Sequence, residues 1–122
     1  MSNQGARAYA RVAQASASPR EIEAQALLMA ANKLQEVVNN ADLPAERRNH
    51  ALMFNRKLWS VFLGEALSEQ SLQPLDIRQK IVNISMFVLT HTMALQVSPQ
   101  IAHFKPLIDI NRNIAAGLSG RA

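Results

Sequence analysis

Histidine, cysteine, serine and carboxylate side chains carry most protein chemistry, and here they are spaced poorly for it. His50, His91 and His103 lie too far apart to form a local metal-binding motif, and the chain has no cysteine to complete one. They could meet only through the fold. The plainer reading puts His50 on a helix surface, His91 near the end of a core helix and His103 beside a proline kink. A serine nucleophile needs a histidine and a carboxylate held against it. The serines here fall mostly in linkers and at helix starts, and nothing resembles a nucleophile elbow. Of the four glycines only Gly117 and Gly120 are close together, at a helix end, so no loop is built to cradle a phosphate. The pairs Glu21/Glu23 and Glu65/Glu69 suit a helix start and a solvated helix face. The expectation is a protein that is not an enzyme, with no catalytic residue, no cofactor and no metal.

The residues that remain are suited to binding. Met29, Met53, Met86 and Met93 are soft side chains of the kind that line adaptable helix-binding grooves; most are expected in the core, with one or two at a partner surface. Trp59, the only tryptophan, is either a core residue or an interface anchor. The net charge of +4 permits an acidic or nucleic-acid partner. Arg7, Arg11 and Arg20 near the N-terminus could touch phosphates, with Arg47-Arg48 and Arg56-Lys57 adding a basic edge. Aromatics are only 5% of the chain, and no RNA-recognition signature is present.

The elements that would position these residues are helices. With 122 residues, 48% of them hydrophobic, the chain is the size of one domain and can bury a core without disulfides or metal. Ser18-Pro19-Arg20-Glu21 is a helix start: a capping serine, a proline at the first helical position and a glutamate that completes a capping box. Ala24, Leu27, Leu28, Ala31, Leu34 and Val38 then follow the amphipathic repeat as far as Asn39-Asn40-Ala41-Asp42. Pro44 opens a second helix that runs to about Ser68, with Leu52, Trp59, Phe62, Leu63, Ala66 and Leu67 along one side. Gln70 to Gln73 connect it to a third, from Pro74 to about Val97. That helix is apolar nearly all round in its middle, which predicts a central place in the bundle. Ser98-Pro99 repeats the cap-plus-proline signal, Pro106 breaks or kinks the last segment, and a short turn over Gln100 to Phe104 leads into a helix from Leu107 to about Ala116. Residues 6–15 are helix-prone but too short to be stable undocked. No stretch alternates with a period of two. The fold class is therefore all-α: a single compact bundle of about four to five main helices with short proline-marked connections, made of an N-terminal arm or short helix (1–17) and a bundle domain (18–122). No secretory signal is visible, and the most apolar stretch, Ile81 to Val97, is too short and too polar to span a membrane. A cytoplasmic protein without membrane insertion is expected.

Asn55-Arg56-Lys57-Leu58-Trp59-Ser60-Val61-Phe62 and its flanks resemble the FlaF family of flagellar biosynthesis regulators. Tyr9-Ala10-Arg11-Val12 looks like the family's N-terminal segment, and Ser18 to Leu28 like its opening helix. Ile110-Asn111-Arg112-Asn113-Ile114-Ala115-Ala116-Gly117-Leu118 resembles its C-terminal signature. Order and spacing agree over roughly residues 9 to 118. The resemblance implies a role in flagellin production, as a flagellin-binding export chaperone or as a post-transcriptional regulator working with the regulator FlbT, which is associated with flagellin messenger RNA. Flagellin is then the expected partner, through its amphipathic terminal helices. FlbT is a further candidate, and RNA is more readily reached through it than directly. The candidate partner-binding residues are Asn55, Arg56, Trp59, Phe62, Asn111 and Arg112; for the two Asn-Arg pairs, helix-end capping or polar contacts bridging the bundle are the alternative.

Overall fold

The computed structural model describes residues 18–120. The expected N-terminal arm or short helix, with Arg7 and Arg11, lies outside them. Among the described residues there are four α-helices and no strand: α1 (Pro19–Asn39), α2 (Ala45–Leu67), α3 (Leu75–Val97) and α4 (Lys105–Leu118), the last preceded by a 3₁₀ turn, Ile101–Phe104.

The helix starts follow the sequence signals closely. The Ser18 hydroxyl accepts from the Glu21 N–H at 3.2 Å, satisfying one of the amides left over at a helix N-terminus. Asn40 turns the chain out of α1 by accepting from the Asp42 N–H, and Ser68 and Ser71 do the same for Gln70 and Gln73 between α2 and α3. Arg78 ties that connector down. Its guanidinium donates to the carbonyls of Ala66 and Ser68 at 2.9 and 3.0 Å, placing a cation on the carbonyl end of α2. Two expectations change. Ser98 ends α3 rather than starting a helix, its N–H donating to Ala94, and no side chain caps the 3₁₀ turn. Pro106 does not interrupt a helix but sits in the first turn of α4, where its missing N–H costs nothing.

The helices pack as two close pairs, α1 with α4 and α2 with α3, joined through α1 against α2. Helices α2 and α3 run antiparallel, since the start of α3 (Arg78) meets the end of α2 (Ala66) while Arg56 reaches Gln96 at 3.2 Å. The core is built on α1: Leu27, Ala31 and Leu34 are fully buried with Leu52, Phe104 and Leu107. The apolar repeat read along α1 is thus the stripe that organises the interior.

Helix α3, the most apolar, is not the central one. Its buried residues are Ser85, Val88, Thr92 and Leu95, while Ile77, Met86, Phe87 and Met93 are exposed. A helix apolar all round need not be surrounded; here α3 packs closely on α2 alone and barely touches α4. The methionines change for the same reason. Met29, Met53, Met86 and Met93 all lie at the surface rather than mostly in the core. No helix among the described residues is long and apolar enough to cross a membrane.

Candidate functional site: a buried polar chain beside an apolar cleft

Three of the six candidate residues meet inside the bundle. The Trp59 Nε1–H donates to Asn111 Oδ1 at 2.8 Å, Asn111 Nδ2 donates to Asn55 Oδ1 at 2.8 Å, and Asn55 Nδ2 donates to Thr92 Oγ1 at 3.1 Å. The Thr92 hydroxyl ends the chain by donating to the Val88 carbonyl at 2.7 Å. Asn55, Thr92 and Asn111 are 0% exposed and Trp59 is 2% exposed.

The order of donors has one consistent solution. An indole N–H can only donate, so it must face the carbonyl end of the Asn111 amide. The amide nitrogen of Asn111 then points at Asn55, which must offer its oxygen and turn its own nitrogen toward Thr92. At the far end the Val88 carbonyl can only accept. Every polar atom in the chain has a partner, so burial leaves none of them stranded. Two residues of α2, one of α4 and one of α3 are thereby held in register, and α4 is tied to helices it otherwise touches little. These are polar contacts bridging the bundle, with Trp59 as a core residue. Their side chains are spent on one another rather than offered to solvent.

The other three candidates lie apart from this chain. Arg56 is partly buried and donates to Gln96, Arg112 is exposed, and Phe62 is half-buried with its ring edge-on to Trp59 at 5.2 Å. Phe62 leads outward into a cleft of about 340 Å³. The indole of Trp59 forms its inner wall, Ile77, Ile81 and Ile84 come from α3, and Ile114 and Leu118 come from α4. A second depression, lined by Ile84, Phe87, Ile110 and Ile114 with Asn83 and Asn113 at its edge, shares Ile84 and Ile114 with the first. The two adjoin along the seam where α3 and α4 fail to close. Sequence reasoning missed its main wall. The isoleucines of α3 read as core, and the signal that separates the two outcomes is the loose α3–α4 contact, which no local pattern encodes.

One end of the groove is charged. Arg20, Glu23 and Glu65 line it where α1 begins. Burial pushes the Glu23 carboxyl above its ordinary range, the negative charge of Glu65 pushes it further, and Arg20 opposes both. The three histidines take no part. His91 and His103 approach each other, their rings 6.3 Å apart and His91 Nε2 2.7 Å from the His103 carbonyl, while His50 lines a separate cleft between α1 and α2.

Fold and site together define a small helical-bundle protein locked inside by a polar chain and open along one apolar seam. The chain belongs to the FlaF family: the family's model, described as flagellar protein FlaF, matches residues 5–118. It is thus a flagellar protein. No curated protein and no solved structure matches the chain.

Proposed function

We propose that this protein is a cytoplasmic export chaperone for flagellin, holding an amphipathic terminal helix of flagellin in the groove between α3 and α4. The observation that carries this reading is the groove itself, two adjoining apolar depressions along one seam of a flagellar protein. Flagellin termini are amphipathic helices whose apolar faces have no partner before assembly. Laying such a face into an inter-helix groove buries it on both sides and keeps it from aggregating. Phe87 and Ile77, both exposed and both lining the groove, supply anchors reachable without unfolding the core. The buried chain of Asn55, Trp59 and Asn111 serves the site indirectly, by holding the walls in place.

Direct binding of flagellin messenger RNA has weaker support. Several basic side chains are engaged within the protein: Arg47 with Glu36, Lys105 with Asp109, Arg78 with backbone carbonyls and Lys33 over the Phe54 ring.

Size exclusion of the full chain mixed with flagellin from the same bacterium tests the proposal. A complex that survives high salt is expected, because apolar burial is not screened. Absence of a complex at both low and high salt would sink direct flagellin binding by this protein alone, and FlbT would become the next partner to try.

A further inference from the structure

Helix α3 carries a second stripe that the fold leaves open. Gln79, Asn83, Met86, Thr90, Met93 and Val97 follow one another at alternating steps of four and three residues, and all six are exposed. That is the spacing of a helix face that meets another helix. At 3.6 residues per turn, the buried Ser85, Val88, Thr92 and Leu95 fall on the other side of α3, with the groove residues Ile77, Ile81 and Ile84. The stripe is thus distinct from the core contact and from the groove, with Phe87 at the border.

Charge indicates what can cover it. Residues 81–104 contain no Asp, Glu, Lys or Arg. The methionines on the other helices have charged neighbours: Met29 shares a depression with Lys33 and Glu36, and Met53 lies one turn from the exposed Lys57. The whole chain carries a net charge of +4, so two copies repel in most orientations. From Asn83 to Val97 they can meet without burying a charge. Arg56 flanks this stretch and is held to its side by Gln96.

Shape and direction agree with such a contact. Met86, Phe87, Thr90, His91 and Ala94 line a surface depression, in which the short Thr90 and Ala94 leave room between longer side chains. In a parallel pair Lys80 would stand beside Lys80 of the second copy. An antiparallel pair centred near the middle of the uncharged stretch sets Met93 of each copy against Thr90 of the other and Met86 against Val97. It also carries Asp76, Arg78 and Lys80 beyond the ends of the contact.

We infer that two copies of this protein pair antiparallel through the outer stripe of α3, Met93 of each seated over Thr90 and Ala94 of the other. The two-fold axis makes every contact twice. The pairing does not depend on what the α3–α4 groove holds. Met86 to Val97 spans only eleven steps of about 1.5 Å. The interface is therefore at the small end for a specific one, and the pair forms as concentration rises.

Sedimentation equilibrium of the full chain without flagellin, over a hundredfold range of concentration, tests this. The mass should climb from 13.5 kDa toward twice that value. Thr90→Glu puts two carboxylates into the contact from an exposed position. It should keep its helical circular dichroism and pair at least tenfold more weakly. A chain that stays at 13.5 kDa throughout would overturn the pairing and leave the stripe to a different protein. Equal association of Thr90→Glu would overturn this face as the contact. The chain has no cysteine, so Gln79→Cys and Ser98→Cys each give one site for a nitroxide, and pulsed electron resonance reads the distance across the pair. The antiparallel arrangement separates the Gln79→Cys labels lengthwise by about 38 Å and the Ser98→Cys labels by about 20 Å. The same short distance for both would overturn the antiparallel arrangement.

Discussion

From Leu75 to Ile84 helix α3 has no buried residue, and from Ser85 to Leu95 it has four: Ser85, Val88, Thr92 and Leu95. The first half carries Asp76, Arg78 and Lys80 and the second has no Asp, Glu, Lys or Arg, yet both present large apolar side chains. The second half packs onto α2 and, through Thr92, enters the polar chain that also holds α4. The first half is pinned to the end of α2 by Arg78, but α4 stays with α1 and leaves Ile77, Ile81 and Ile84 facing a cleft. Both halves carry apolar side chains; charge pattern, hydrogen-bond geometry and helix partnering together decide which half is spent on folding and which is left for binding. Fully burying an isoleucine side chain is worth roughly 1.5–3 kcal/mol, so the groove holds binding free energy that the fold has not used.

The comparison breaks first at the locked half. Trp59→Ala removes the inner wall of the groove and the donor that orients the whole polar chain. It should destabilise the bundle by about 3–5 kcal/mol, seen as a lower midpoint in urea unfolding, and should weaken flagellin binding both through the lost wall and through the smaller folded fraction. Thr92→Val tests the chain without a cavity. The shape is kept, but the Asn55 amide loses its acceptor while buried. A cost of about 1–3 kcal/mol is expected; a change below 0.5 kcal/mol (order of magnitude) would mean the chain is not what locks this half.

The open half should behave in the opposite way. Ile77→Gln/Ile81→Gln removes apolar surface that faces the cleft and leaves the core intact, so thermal stability should shift little. Flagellin affinity should fall at least tenfold, about 1.4 kcal/mol, by isothermal titration. A double substitution that lowers stability and leaves affinity untouched would reverse the assignment of the two halves.

A smaller effect sharpens the charged end of the groove. Glu23 binds its proton more tightly in the folded protein than in the unfolded chain, because burial and Glu65 disfavour its charge. Such a group adds stability at low pH, where it is protonated, and that contribution is lost as pH rises past the ordinary glutamate range. Glu23→Gln should therefore melt slightly higher than the unsubstituted protein at pH 7. The difference should close below about pH 4, where both carry a neutral side chain. A melting difference that does not change with pH would show that Glu23 acts through packing alone.

Much of the frame was legible in the residues, and the reasons are local. Ser18-Pro19, Pro44 and Pro74 each act within one helical turn, so the starts of α1, α2 and α3 could be read directly. The stripe of Ala24, Leu27, Ala31 and Leu34 repeats on one face and matches the core. The site was less legible because it depends on distant pairs. Asn55 and Asn111 are far apart in the chain, and only the packing of α4 beside α2 turns two ordinary helix-surface residues into a matched donor and acceptor. The isoleucines of α3 gave the same signal whether α4 closed on them or not.

Ser85 and Thr92 bring the comparison down to one hydroxyl each. They lie seven residues apart on the same face of α3, and both are 0% exposed. Thr92 accepts from Asn55 and donates to Val88, whereas the Ser85 hydroxyl has no partner. A buried polar group without a hydrogen bond opposes folding, and a paired one supports it. Ser85→Ala removes only the unpaired oxygen, and alanine is the better helix former. It should therefore be neutral or stabilising by up to about 1 kcal/mol, measured by urea unfolding beside Thr92→Val. Opposite signs for the two would show that, within the buried half of α3, the polar chain locks only the part from Val88 on. A loss of stability in Ser85→Ala would mean that this hydroxyl has a partner, and that the lock extends a turn further toward the groove.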